Sequence, residues 1–294
     1  MAAVAAVTNR SAPKNQQIQL FYNTSNAQIA LDLRSGASSH DGTVTTWSAS
    51  LNDYKGIVLN PSQVAAANLN EVPMVVAVTT PYSSDGSANV NNISLVSPVY
   101  QQLTTTDLNN SSVAMISLGD DATVYYVAGT SKDTTVIWQY GMISGINNTV
   151  VSGVSVLMNS TLGGWYDTND TVQHLVFQAA NGVLWEFDVA QQNPLKINNT
   201  DNSLSPAMFG VTFAVDTAYV YYVDNQSNLV RITKKGNTWG SSAQVQGWQV
   251  AKGSQITVTT ANGLNHIFFV PLTGQSELGT SNQHFQHVTD PIQQ

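Results

Sequence analysis

The chain has 294 residues, enough for two average domains or one large all-β domain. Charged residues make up only 10% of it, against roughly 25% in typical soluble proteins, and the formal net charge is −8. With arginine confined to Arg10, Arg34 and Arg231, there is no basic stripe to neutralise phosphates, so nucleic acid is excluded as a partner. No apolar run approaches the roughly 20 residues of a membrane span, and the absence of cysteine excludes disulfides and thiolate chemistry.

Read in chain order, the sequence repeats one theme. Short strands of small and β-branched residues appear at "AAVAAVT" (2–8), "SQVAAAN" (62–68), "SVAMISL" (112–118), "VSGVSVL" (151–157), "AMFGVTFAV" (207–215) and "SQITVTT" (254–260). A bulkier strand follows each: "IQLFYN" (18–23), "PMVVAV" (73–78), "TVYYVA" (123–128), "HLVFQA" (174–179), "YVYYVD" (219–224) and "HIFFVP" (266–271). A turn and a third strand come next, clearest in "NGVLWEFDV" (181–189) and "SNLVRITKK" (227–235). Weaker fourth strands are visible in "TVTTWSAS" (43–50) and "NTWGSSAQV" (237–245).

Six copies of about four strands each predict an all-β, six-bladed β-propeller with four-stranded antiparallel blades, one domain spanning 1–294. The small-then-bulky order has a physical cause. Inner strands crowd round a narrow axis, whereas second strands fill the wider wedge between blades. The N-terminal residues are expected to pair into the last blade and close the ring.

The chain resembles the six-bladed fucose-binding fungal lectins of the Aleuria aurantia type. The likeness is carried by "VAAVTNRSAPKNQQIQLFYNTSNAQIALDL", "SPAMFGVTFAVDTAYVYYVDNQSNLVRITKKGNTWGSS" and "HLVFQAANGVLWEFD". It implies sugar sites between blades, built from an Arg opening the second strand, a Glu twelve positions later and an aromatic from the next blade. The Arg position falls on Gln19, Met74, Thr123, His174, Tyr219 and His266, none of them arginine. The Glu position falls on Leu31, Leu95, Trp138, Glu186, Arg231 and Leu278, so Glu186 alone matches.

The best carbohydrate site implied is therefore His174, Glu186 and Trp239. A weaker one combines His266, Glu277 and Trp47. The expected function is a non-catalytic lectin-like protein with glycans or glycoproteins as partners. The alternative is a propeller that has lost sugar binding and serves as a structural, self-assembling or protein-interaction module, with which a homo-oligomer is compatible.

Catalytic and cofactor motifs are absent from the sequence. The acidic residues sit mostly in turns. Glu186 and Asp188 stand about 7 Å apart on one strand face, a spacing that glycosidic cleavage tolerates but that any E-x-D on a strand shares. The five histidines form no H-E-x-x-H pattern, and no calcium loop, dinucleotide fingerprint or P-loop occurs, so no metal and no cofactor are expected. Frequent N-x-[ST] sequons, among them those at Asn109 and Asn159, favour an extracellular or cell-surface location. The opening "MAAVAAVT" lacks a basic n-region, which leaves cytoplasmic storage open.

Overall fold

The computed structural model describes residues 3–24, 26–37, 45–47, 57–81, 89–131, 134–150, 153–272 and 285–293. Six antiparallel sheets form the blades of a propeller. Blade 1 contains β1 (Val4–Thr8), β2 (Ile18–Asn23), β3 (Ile29–Arg34) and β4 (Thr45–Trp47). Blade 2 contains β5 (Val64–Leu69), β6 (Val72–Thr79), β7 (Val90–Ser97) and β8 (Gln101–Asp107). Blade 3 contains β9 (Val113–Leu118), β10 (Asp121–Ala128), β11 (Val136–Gly141) and β12 (Asn147–Val150).

Blade 4 contains β13 (Leu162–Asp167), β14 (Val172–Gln178), β15 (Leu184–Asp188) and β16 (Asn193–Lys196). Blade 5 runs β17 (Phe209–Ala214), β18 (Thr217–Val223), β19 (Asn228–Lys235) and β20 (Thr238–Trp239), and β21 (Ala243–Gln249) also pairs with β19. Among the described residues blade 6 has three strands, β22 (Thr257–Ala261), β23 (Leu264–Phe269) and β24 (Gln286–Pro291).

The core is divided between the blades, as the small-then-bulky pattern requires. Six buried apolar clusters each join two neighbouring blades. Tyr125, Tyr221, Phe177 and Phe268, all from second strands, are fully buried there. The inner strands leave a narrow axial space of about 90 Å³ lined by residues such as Ala5, Ala65, Ala114, Gly163 and Gly210.

Two sequence expectations are corrected. The inner strand of blade 4 is Leu162–Asp167, not 151–157; of the latter stretch, Val156 makes only an isolated bridge to Ala179. Nor do the N-terminal residues join the last blade. β1 is the innermost strand of blade 1 and pairs with β2. Closure instead uses side chains of blade 6. Gln255 Oε1 accepts from Val4 N at 3.0 Å, Thr257 Oγ1 accepts from Ala6 N at 2.9 Å, and the Thr8 and Thr259 hydroxyls meet at 2.9 Å.

Glutamine also ties the ring across its axis. Gln255 Oε1 accepts from Val64 N in blade 2 at 3.1 Å while its Nε2 donates to Val64 O at 2.8 Å. Gln63, just before β5, accepts from Val113 N at 3.2 Å and Leu162 N at 3.1 Å, and donates to Leu162 O at 2.6 Å. These two buried amides satisfy the first backbone groups of four inner strands.

Candidate functional sites: an inter-blade ion cluster and an axial cup

The hairpin β14–β15 turns through Asn181–Gly182, where Gly182 has φ +84° and its N–H donates to Ala179 O at 2.9 Å. Side chains on a strand alternate between faces. Leu175, Phe177 and Phe187 therefore pack toward blade 3, and Val176 and Leu184 toward blade 5. His174 shares the parity of Val176, and Glu186 is the register partner of Val176, so both side chains also face blade 5.

The two meet there with groups from β19 and β20. His174 Nδ1 lies 2.8 Å from Glu186 Oε1. Lys234 Nζ reaches the same oxygen at 2.5 Å, and Trp239 Nε1 donates to Glu186 Oε2 at 2.9 Å. Trp165, from β13, stacks on the His174 ring with centroids 4.8 Å apart and planes 11° from parallel. It also meets Trp239 edge-on at 6.4 Å and carries Lys234 Nζ 5.8 Å above its ring.

Glu186 is 0% exposed, His174 3% and Lys234 6%. Burial pushes the Glu186 carboxyl up, but the His174 and Lys234 contacts outweigh it and hold the group below the usual carboxylate range. The structure thus brings His174, Glu186 and Trp239 together, as expected, and both carboxylate oxygens already hold protein donors. Trp239 turns its N–H to Glu186 and packs against Trp165. Asp188, the other carboxylate on this strand, has Oδ1 engaged by Gln191 N at 2.8 Å.

The weaker cleft is described only in part. His266 is fully buried, with Nδ1 2.9 Å from His287 Nε2 and Nε2 3.2 Å from Ala261 O. Trp47 stands opposite Leu31 in the β3–β4 register, and Glu277 lies outside the described residues.

Sequence reasoning missed Lys234, Trp165 and Asp290. Arg231, at the position where the resemblance places a carboxylate, binds Asp290 of blade 6 at 2.9 and 2.7 Å through Nη1. Tyr221 OH donates to the same Asp290 at 2.7 Å. The charge reversal at Arg231 was the one available signal that a neighbouring blade supplies a counter-ion.

A second feature lies on the axis. At the mouth where the inner strands begin, a cup of about 390 Å³ is lined by Leu59, Pro61, Leu108, Pro206 and Met208 on its apolar side. Asn109, Ser111, Ser112, Asn159 and Thr161 supply its polar side, and Gln63 and Gln255 border it. None of its described lining residues is charged. Thr161 Oγ1 points at Met208 Sδ at 3.5 Å. Asn109, Ser111, Ser112 and Asn159 make no side-chain hydrogen bond among the described residues.

No protein-family profile matches the chain. It is 24% identical to the "Wall-associated proteinase" of Coccidioides immitis, over 96% of this chain and 96% of that protein, with the same figures for the protein of that name from Coccidioides posadasii. Among solved structures it is similar to the six-bladed fungal lectin of Aleuria aurantia, with a TM-score of 0.68 at 13% identity over 99% of this chain and 95% of that one. AofleA from Arthrobotrys oligospora aligns with a TM-score of 0.61 at 13% identity over 99% and 88% of the two chains. The SapL1 lectin, solved with α-methyl fucoside, aligns at 0.63 and 12% identity over 91% and 87%. The fold is the six-bladed β-propeller of the Aleuria aurantia lectin.

Proposed function

We propose that this chain is a non-catalytic, glycan-binding propeller whose sugar site is the axial cup rather than the blade 4–blade 5 cleft. The observation that carries this reading is the distribution of unused hydrogen-bonding capacity. In the cleft, Glu186 is buried and its two oxygens accept from Lys234 and Trp239. In the cup, two amide and two hydroxyl side chains have no hydrogen-bond partner among the described residues. Its volume falls within the roughly 300–1,000 Å³ range of small-molecule sites.

The lining suggests the class of ligand. An uncharged wall disfavours sialic and uronic acids, because a buried carboxylate would lack a counter-ion. A neutral deoxyhexose suits it: the methyl group packs on Leu59, Pro206 and Met208 while Asn109, Ser112 and Asn159 meet the hydroxyls. Fucose is such a sugar, and it is the ligand class named for the propeller lectins this fold resembles.

The proteinase name carried by the Coccidioides relatives finds no matching support around His174. Among the described residues no serine or threonine hydroxyl hydrogen-bonds to its ring, whose contacts there are two carboxylates and Trp165.

The test is a glycan array on protein produced without N-glycosylation, since Asn109 and Asn159 begin sequons. Binding of neutral deoxyhexose glycans that is lost in Ser112→Val and Asn159→Leu, and retained in Trp239→Ala, supports the cup. Loss in Trp239→Ala with retention in both cup variants transfers the site to the cleft. No binding to any glycan leaves the alternative of a structural or interaction module.

A further inference from the structure

We propose that the β13–β14 turn of blade 4 holds a divalent transition-metal ion of the zinc class, ligated by Asp167, Asp170 and His174. The three residues each offer one ligand atom, and those atoms lie within 4.8 Å of one another. The sequence spacing, D-x-x-D-x-x-x-H, matches none of the metal patterns sought in the chain. Strand register makes the set: Asp167 is paired with Val172 across β13–β14, and His174 follows two residues later on β14.

The independent observation is His174 itself. It is 3% exposed, and among the described residues its Nε2 has no hydrogen-bond partner. A buried imidazole nitrogen in that condition is costly unless something takes it up. Nε2 faces the turn, with Asp170 Oδ2 3.6 Å away, too far for a hydrogen bond. Two ligand atoms on one tetrahedral ion, each at about 2.0–2.2 Å, stand about 3.4 Å apart. The observed gap is the one an ion would fill.

The other side of the ring has the arrangement expected behind a metal-bound histidine. Nδ1 lies 2.8 Å from the Glu186 carboxylate, which fixes the ring orientation, as carboxylates behind ligating histidines commonly do. Lys234 supplies a countercharge to Glu186 on the same oxygen. Trp165 stacked on the ring limits its rotation.

The aspartates complete the set. Asp167 Oδ1 accepts from Asn169 N at 2.8 Å and Asp170 Oδ1 from Val172 N at 3.2 Å, so each carboxylate keeps its other oxygen for the ion. Asp170 is exposed and can close the remaining distance by side-chain rotation. One imidazole with two carboxylates favours zinc-class ions over calcium or magnesium, which take oxygen ligands alone.

The test uses untagged full-length protein stripped with chelator and titrated with zinc chloride by calorimetry. One equivalent is expected to bind, with magnesium and calcium at least tenfold weaker. Asp170→Asn, on the exposed turn, leaves the fold intact and should weaken zinc at that site at least tenfold. Cobalt(II) provides a second readout: bound beside His174, it should quench tryptophan emission in the parent and not in Asp170→Asn. No zinc binding, or binding and quenching unchanged in Asp170→Asn, would overturn the proposal.

Discussion

Glu186 and Arg231 occupy equivalent places on the third strands of adjacent blades, and each pairs with the opposite charge from the next blade. Glu186 is registered with Val176 and Gly163, Arg231 with Tyr221 and Gly210. Their partners, Lys234 and Asp290, are also equivalent, each three residues beyond the corresponding site on the next third strand. The geometry is repeated and the polarity inverted. In each cleft a protein ion pair bridges the two neighbouring blades.

Such pairs matter mainly when broken. Lys234→Met leaves a buried carboxylate without its cation, a change that costs about 3–5 kcal/mol. The double variant Glu186→Met/Lys234→Met is expected to recover most of that loss. The charge swap Glu186→Arg/Lys234→Asp should not, because Trp239 Nε1 can only donate and would then face a guanidinium. Urea midpoints of the four proteins check the order. Equal stability of the single and double Met variants would count against the pair as the source of the loss.

The same carboxylate sets an acid limit. The Glu186 pKa is lowered in the folded state from its ordinary 4.5, so the group binds protons less readily folded than unfolded. Its contribution is present above about 4.5 and disappears as pH falls through the folded value. Glu186→Gln should therefore be less stable than the parent at pH 7, and the gap should narrow below about pH 4. Asp216 provides the control. Its carboxyl is also lowered, first by the Lys235 hydrogen bond, but the pair lies at the surface and is screened, so Asp216→Asn should leave the acid profile unchanged. Denaturant midpoints from pH 7 to pH 3 give the comparison.

The fold was legible where the physics is local. Second strands such as "TVYYVA" and "HIFFVP" declare themselves because the inter-blade wedge demands large apolar side chains at every repeat. The inner strand of blade 4 hid because "LGGWYD" is not small and β-branched. Gly163 and Gly164 make the room, and Trp165 turns toward His174. "VSGVSVL" has the residue types of the pattern, yet Val156 makes only an isolated bridge to Ala179. In the site, strand alternation put His174 and Glu186 on one face, but Lys234 arrives from another blade 48 residues away. The cup was invisible because Gln63, Ser112, Thr161 and Met208 are single residues at the starts of four different strands, with no motif linking them.

Two glycines of blade 4 should fail for different reasons. A Cβ on Gly164 would stand 2.5 Å from His174 O and 2.5 Å from Ile116 Cδ1, so alanine overpacks the blade 3–blade 4 contact at about 1–3 kcal/mol. Gly182 has open space around it and a φ of +84°, so alanine there costs about 1–2 kcal/mol in backbone strain. Gly182→Asn, which tolerates the left-handed region better, should regain part of the loss, whereas no residue with a Cβ rescues Gly164. Thermal midpoints of the three variants separate steric from conformational cost.

Gln63 offers the test of how the ring is held. Its amide serves Val113 N, Leu162 N and Leu162 O, groups from blades 3 and 4, while the residue itself belongs to blade 2. Gln63→Leu keeps the approximate volume but leaves three buried backbone groups unpaired, each worth about 1–3 kcal/mol. A total loss of about 3 kcal/mol is expected after partial relaxation and water entry. The effect should also be non-local. Hydrogen exchange should accelerate at the starts of β9 and β13 together, although these strands lie in blades that do not include Gln63. Faster exchange confined to β5 would mean that the amide merely packs its own blade, and the cross-axis tie would lose its energetic role.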